Sequence, residues 1–419
     1  MRSQPRRALI IGGSISGLFA ALYLRRRGWE VDVSERSPVP LTGRGAGIMT
    51  HPEMRQALAE LGLDTARDFG VPIAGRLVLD AHGRVIARRA CPQIATSWNR
   101  LFEMLIGTLG AGAYRLGMDL ARVSQDADGV TAHLADRTSK RGDVLIGADG
   151  FRSAVRSQLL PETQPLYAGY VAWRGLLDER AAVPLLTQEV FDCLSFHLPP
   201  GEQFLGYPVA GPGNDLRPGH RSWNVVWYRP ADETRDLPRL LTDESGHTHE
   251  LSIPPPLIAK GVVAEMREAA ERLLPPQFRA AMSLVAQPFL QPIYDLESTA
   301  MAFGRVALAG DAAFVIRPHV GAGVVKAAQD AAALAACLDA GPTVEAGLRA
   351  YEERRIGIGR RFIAQARRLG CYLRYDFDSE EERARAAFHA APERVLAETA
   401  VLDFLSSGRL GQAQRRPDT

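Results

Sequence analysis

Lysine is nearly missing from this chain: all but three of its fifty basic residues are arginine. With the many alanines, that bias points to a GC-rich bacterial genome. Cysteine is scarce as well. Cys91, Cys193, Cys337 and Cys371 form no Cys-x-x-Cys pair and no metal-ligand spacing with histidine, so no metal centre is expected and the thiols read as reduced and mostly buried in a cytoplasmic protein. No run approaches the roughly 18 consecutive apolar residues of a membrane span. An excess of one charge is lacking too, with 50 Lys and Arg against 48 Asp and Glu. No basic block interleaved with aromatics occurs, which argues against a nucleic-acid partner. Arg6-Arg7 ahead of an apolar stretch imitates a secretory signal, but Gly12, Gly13 and Gly17 interrupt it and no Ala-x-Ala-like cleavage site follows.

The 419 residues can bury a large core and divide into two structural units. Ala8–Ile11 is a short apolar run, Gly12-Gly13-Ser14-Ile15-Ser16-Gly17 follows it, and Leu18–Leu24 carries a helical apolar pattern ending near Gly28. A second run, Glu30–Val33, leads to Glu35. This is the strand, turn, helix and strand of a dinucleotide site. Gly12 permits the tight turn, Gly17 lets the helix pack closely on the strand, and the N–H groups at the helix start receive a pyrophosphate. Glu35 stands at the offset of roughly 20 residues where a carboxylate takes ribose hydroxyls, with Arg36 beside it as a further candidate contact. Ser14 replaces the usual middle glycine; its small side chain still admits the phosphate and its hydroxyl can donate to it.

That turn alone serves NAD and FAD equally well. Two later signals narrow the choice. The apolar strand Asp143–Ala148 runs into Asp149-Gly150-Phe151-Arg152-Ser153-Ala154-Val155-Arg156, and the strand Arg305–Ala309 runs into Gly310-Asp311-Ala312-Ala313. Asp311 is a carboxylate at the C-terminal end of a buried strand, where ligands of open α/β sheets bind. Pro318, Gly321, Ala322 and Gly323 then open an apolar helix that extends to about Leu338, and its N-terminal N–H groups can face a flavin ring.

In order and content these three signals resemble the class A, aromatic-hydroxylase type of FAD-dependent monooxygenases, over residues 5–375. Ser14, Arg317-Pro318-His319 and Tyr167-Ala168-Gly169-Tyr170-Val171-Ala172-Trp173-Arg174-Gly175 are similar to the 2,6-dihydroxypyridine hydroxylase branch and to related pyridine-tailoring hydroxylases. The resemblance implies an α/β fold: a Rossmann-like FAD-binding unit, glutathione-reductase-like and p-hydroxybenzoate-hydroxylase-like, with an inserted, mostly antiparallel substrate sheet and a C-terminal helical segment. It implies that Asp311 holds the ribityl hydroxyls and that Asp149 lies near the flavin. It also implies NADH or NADPH as a transient reductant, O2 as co-substrate, and chemistry through a flavin C4a-hydroperoxide. Phe314 stands where many members have His, Val325 where Asn is usual, and Trp98 in the place of a flavin-contacting Arg, with Arg100 two residues away.

On this reading residues 1–75, 97–165 and 286–342 form a discontinuous FAD-binding domain. Residues 76–96 and 166–285 form the substrate sheet, with Tyr167–Leu177, Glu189–Leu198, Gln203–Val209 and Ser222–Tyr228 as β-rich runs. Residues 229–261, polar and rich in proline, read as a surface excursion, and Pro288–Tyr294 as a strand returning to the flavin unit. Residues 343–405 are C-terminal helices, of which Val344–Leu373 offers an Arg-rich packing or homo-oligomer surface, and 406–419 a mobile tail. No second dinucleotide fingerprint exists, so the nicotinamide donor must dock transiently.

Hydroxylation needs an electron-rich aromatic or N-heteroaromatic ring, exclusion of water and a group that helps deprotonate a ring hydroxyl. His319, beside the flavin loop, and Tyr207, on a strand of the substrate sheet, are the candidate catalytic residues, with His51 behind them. His319 reads equally as a packed loop histidine, and Tyr207 as pocket wall. Arg44, in the loop before Gly45-Ala46-Gly47, covers the flavin or is a solvated charge, and Trp173 and Arg174 read as packing residues. Rival readings are a same-scaffold epoxidase and a flavin-binding protein without turnover. A halogenase is disfavoured because its Trp-x-Trp-x-Ile-Pro string is absent, and a plain NAD-dependent dehydrogenase leaves Asp149 and Asp311 unexplained.

Overall fold

The computed structural model describes residues 6–42, 47–66 and 68–405; Arg44 and the tail 406–419 lie outside them. Apolar runs without polar alternation build a parallel sheet covered on both faces. Its strands run in the order Ala302–Phe303, Val306–Leu308, Val144–Gly147, Arg7–Ile11, Glu30–Ser34 and Tyr114–Arg115. All neighbours are parallel except the first pair. Helices Ile15–Arg26, Trp98–Leu109 and Gly323–Ala340 pack together beside it, and Val344–Leu369 packs on the last of them. Because Ile11 is level with Gly147 and Gly147 with Leu308, the three sequence signals leave the sheet at one edge, from the C-terminal ends of neighbouring strands.

The second large sheet has eight strands, in the order Phe314–Val315, Phe289–Glu297, Leu166–Asp178, Ser222–Pro230, Gln203–Val209, Leu194–His197, Arg76–Leu79 and Val85–Arg89. It is antiparallel apart from Leu194–His197 with Arg76–Leu79. The two-residue period of a strand gives it two different faces. Trp223, Val225 and Trp227 join Val171, Trp173 and Phe204 in one core, which helices Lys260–Leu273 and Pro276–Leu284 close. Val226 and Tyr228 join Tyr170, Ala172, Leu205 and Tyr207 on the other. Residues 392–400 supply Val395, Leu396 and Ala400 to that second face.

Two expectations need correction. The crossing back to the parallel sheet does not fall at 286, because Phe289–Glu297 pairs with Leu166–Asp178 in the large sheet. Strand pattern alone does not tell which sheet a strand joins. Nor is 229–261 merely a surface excursion: most of it is exposed, but Leu237, Leu240, Leu241, Ile253 and Ile258 are buried in the core behind the sheet. Five apolar side chains spaced among prolines and acids were enough to anchor it. The helix after Gly341 ends at Leu369. No helix among the described residues is long and apolar enough to cross a membrane.

Candidate active site

Gly12 leaves its strand with φ +103°, a conformation that L side chains rarely adopt. Close approach fixes the next two glycines: a Cβ at Gly17 would overlap the Gly12 carbonyl oxygen, and one at Gly13 the Tyr114 hydroxyl. The helix Ile15–Arg26 starts without an acidic residue in its first turn, and the Ser14 side chain makes no cap bond. Its N-terminal N–H groups are therefore left for an anion. Ser16 Oγ is buried without a hydrogen-bond partner among the described residues, whereas the Ile15 side chain packs in the core.

Gly12, Ser14, Glu35, Arg36, Asp149 and Arg152 line one cleft, with Trp98, Met118 and Leu120 as its apolar wall. Glu35 also braces the turn, accepting the Gly13 N–H on Oε2 and the Ser37 N–H on Oε1, each at 2.8 Å. Asp149 accepts the Ser153 hydroxyl at 2.5 Å and the Val155 N–H at 3.2 Å, so it holds the short helix Ala154–Leu159 against the cleft. Burial pushes its carboxyl up, opposed by those hydrogen bonds. Arg156 donates to the carbonyls of Ala312 at 3.1 Å and Phe151 at 2.7 Å. The second signal is thereby stitched to the third.

A second cavity opens beside Asp311. Tyr207, Asp311, Pro318, His319, Gly321, Ala322 and Gly323 line it together, joined by Gly47, Met49, Arg174, Leu205, Val226 and Tyr228. Asp311 lies deep in the molecule but its carboxylate faces the open cavity and accepts no hydrogen bond among the described residues. Burial pushes it up, and Lys326 pulls it down. Lys326 is itself engaged with the Gly310 carbonyl at 2.9 Å and Asp330 at 2.7 Å. Gly321, at φ +62°, ends the turn Pro318–Val320, and its carbonyl accepts from His51 Nε2 at 3.0 Å. His51 thus anchors the loop rather than facing the cavity as a base.

His319 is buried, its Nε2 lies 2.8 Å from the Tyr170 hydroxyl, and its ring packs 4.4 Å from that of Tyr228. Burial, helped by Arg317 and Arg174, pushes its imidazolium down to about 3. At neutral pH the ring is uncharged, a hydrogen-bonding group and a weak proton acceptor. Tyr207 donates to the Gly47 carbonyl at 3.0 Å, and burial pushes its hydroxyl up to about 12. The far wall is a strap: Ala400 N–H donates to the His319 carbonyl at 2.9 Å, and the buried Arg76 guanidinium donates to Leu396 O at 2.9 Å and Thr399 O at 2.5 Å.

Several of these residues escaped the sequence reading. Arg174 opens into the cavity while Trp173 alone packs in the core behind the sheet; counting residues along the strand from Tyr170 would have separated the two. Tyr228 follows from the same count, whereas nothing local marks Arg76 or Ala400. The departures from the wider family sit harmlessly: Phe314 and Val325 are buried in the core, and Trp98 stacks on Phe102 with centroids 5.0 Å apart.

The arrangement suits FAD. Glycine cradles, an uncapped helix start and the orphaned Ser16 hydroxyl fit a pyrophosphate, and the unpartnered Asp311 carboxylate fits a polyol chain. A parallel sheet with this edge, roofed by an antiparallel sheet over a second cavity, defines a flavoprotein hydroxylase. The chain belongs to the FAD-dependent monooxygenases of aromatic rings. Residues 292–366 match the family described as FAD binding domain, and 167–295 the one described as FAD binding domain-like. Among its relatives, 2,6-dihydroxypyridine 3-monooxygenase of Paenarthrobacter nicotinovorans is 32% identical over 383 residues, 91% of this chain and 95% of that protein. The solved 2,6-dihydroxypyridine-3-hydroxylase from Arthrobacter nicotinovorans superposes with a TM-score of 0.83 at 31% identity, covering 90% of this chain and 95% of the other. A Klebsiella pneumoniae protein solved with FAD and uric acid gives 0.75 at 25% identity, covering 97% and 98%.

Proposed function

We propose that this enzyme hydroxylates a small, electron-rich ring of the hydroxypyridine or phenol type, with NAD(P)H as transient reductant and O2 as co-substrate, in the cytoplasm. The carrying observation is the cavity in which the unpartnered Asp311 and the loop Pro318–Gly323 face Tyr207, Tyr228 and His319. The relatives named for dihydroxypyridine and urate supply the substrate class by similarity.

In this proposal Gly12, Gly13, Ser14, Ile15, Ser16 and Gly17 hold the pyrophosphate through backbone N–H groups, and Glu35 and Arg36 hold the adenosine end. Asp311 takes the ribityl hydroxyls, Pro318, Gly321, Ala322 and Gly323 meet the flavin ring, and Asp149 fixes the segment beside it. Bound FAD supplies the reaction with O2 and the transferred oxygen. The neutral His319 hydrogen-bonds a ring hydroxyl and thereby orients the ring. Tyr207, tied to Gly47, bounds the cavity on the sheet side, and the aromatic wall excludes water.

The purified, FAD-loaded enzyme is expected to oxidise NADH or NADPH faster when 2,6-dihydroxypyridine, related hydroxypyridines or phenols are added, with label from 18O2 entering the product. Stimulation without incorporated label for every ring tried would show an effector response and overturn the proposal. A colourless protein that cannot be loaded with FAD would overturn the cofactor assignment as well.

A further inference from the structure

The cavity-facing side of the eight-stranded sheet carries a charge that the fold leaves uncompensated. Arg174 lies level with Val226 of the neighbouring strand, and the two-residue period places it with Tyr170 and Ala172 on the face of Tyr207 and Tyr228. Among the described residues it makes no ion pair with any carboxylate. Its side chain lies beside Tyr228, whose hydroxyl it pulls down against the effect of burial, and its Nε is buried without a hydrogen-bond partner.

The neighbouring cations Arg317 and Lys326 are answered. Arg317 is held by Asp295 at 2.8 Å, and Lys326 by Asp330 at 2.7 Å. Asp311, the one carboxylate of the lining among the described residues, stands at the flavin end, where its charged neighbours are Lys326 and Asp330. The groups that feel Arg174 are Tyr207, Tyr228 and His319, and none of them is an anion at neutral pH. A half-buried guanidinium without a counter-ion in the cavity wall is stabilised when a ligand supplies the negative charge, and its planar fork suits an oxygen anion.

The polar neighbours also leave little capacity to remove a ring proton. His319 has its Nε2 on Tyr170, and the Tyr207 proton is committed to the Gly47 carbonyl. We propose that Arg174 is the specificity-determining residue of this cavity: it receives the ionised oxygen of the ring, so that a hydroxy-heteroarene or phenol is taken as its anion in preference to a neutral ring. The proton is released to solvent on binding, and the negative charge makes the ring carbons nucleophilic without a dedicated base. The inference rests on the proposal that the ring occupies this cavity.

The test uses FAD-loaded wild type, Arg174→Met and Arg174→Lys, titrated with 4-nitrophenol and with nitrobenzene across pH. Flavin absorbance reports binding and the nitrophenolate band reports ionisation. Wild type is expected to bind the nitrophenolate at least about tenfold more tightly than nitrobenzene, as for one charge-assisted hydrogen bond, and to lower the ionisation pH of the bound phenol by about one unit. Arg174→Met is expected to lose both effects while keeping its FAD and its affinity for nitrobenzene, and Arg174→Lys to keep part of each. If Arg174→Met loses FAD, the lysine variant carries the comparison. An undiminished preference in the variants, or equal affinity of wild type for both compounds, overturns the role of Arg174. No flavin response to either compound removes the ring from this cavity, and the inference falls with it. A clear anion preference in an enzyme that hydroxylates no ring leaves Arg174 standing and overturns only the proposed reaction.

Discussion

At Gly17 the helix Ile15–Arg26 passes so close to the glycine turn that an added Cβ would meet the Gly12 carbonyl oxygen, which is backbone and cannot swing away. Gly17→Ala is therefore expected to fold and yet to purify with little or no bound FAD, measured as flavin released per chain; a stoichiometric yellow variant would contradict the geometry. His319 has a different consequence. Its imidazolium is pushed from the ordinary 6.5 down to about 3 in the folded protein, so between those values the unfolded chain binds a proton that the native chain does not. Stability is then full above about 6.5 and falls as pH falls toward 3, by about 2 kcal/mol between pH 6.5 and 5 from this residue. His319→Gln is expected to flatten that slope in urea unfolding at the two pH values, and an unchanged slope would place the residue in contact with water. Position was legible here, since Pro318 and Gly321 bracket the histidine in a loop. Its charge state was not, because Tyr170, Arg174 and Tyr228, which bury and surround it, come from distant strands.

Among the elements, the strap that completes the cavity depends on one guanidinium. Arg76 is buried on the edge-side strand Arg76–Leu79, and besides the strap carbonyls it reaches Gln93 Oε1 at 2.6 Å. It bonds the last carbonyls of the helix Pro392–Glu398, where a cation is favoured by the helix dipole. Arg76→Met is expected to raise the KM for the ring and to divert NAD(P)H oxidation towards hydrogen peroxide while FAD stays bound; unchanged coupling would show that the strap holds without it. Nothing near Arg76 in the sequence announces this, since its partners in the strap lie 320 and more residues away. By contrast, the helix from Gly323 and the long strand Leu166–Asp178 were legible from apolar spacing. The membership of Phe289–Glu297 was not, because Leu290 and Ile293 would satisfy either sheet and only pairing with Leu166–Asp178 decides between them.

For the whole molecule, the two sheets are clasped through Asp295. Arg317, just before the loop Pro318–Gly323, and Arg367 of the helix Val344–Leu369 both reach its carboxylate, at 2.8 and 2.7 Å. Burial alone would raise that carboxyl, but the two arginines outweigh it and hold it below the ordinary 3.8. The three signals gave away the parallel sheet because each is short, local and tied to backbone conformation: Gly12, Gly150 and Gly310 all have positive φ. The substrate end has no such local code, since Tyr207, Tyr228 and Arg174 become neighbours only through strand pairing. The reach of Arg76 across the chain also orders events in time. The cleft proposed for the adenosine end is lined by residues 11–154, whereas the cavity proposed for the ring waits for contacts between residues 76 and 400, and such long loops close late. A refolding chain is thus expected to form the proposed nucleotide cleft before it can close the proposed ring cavity.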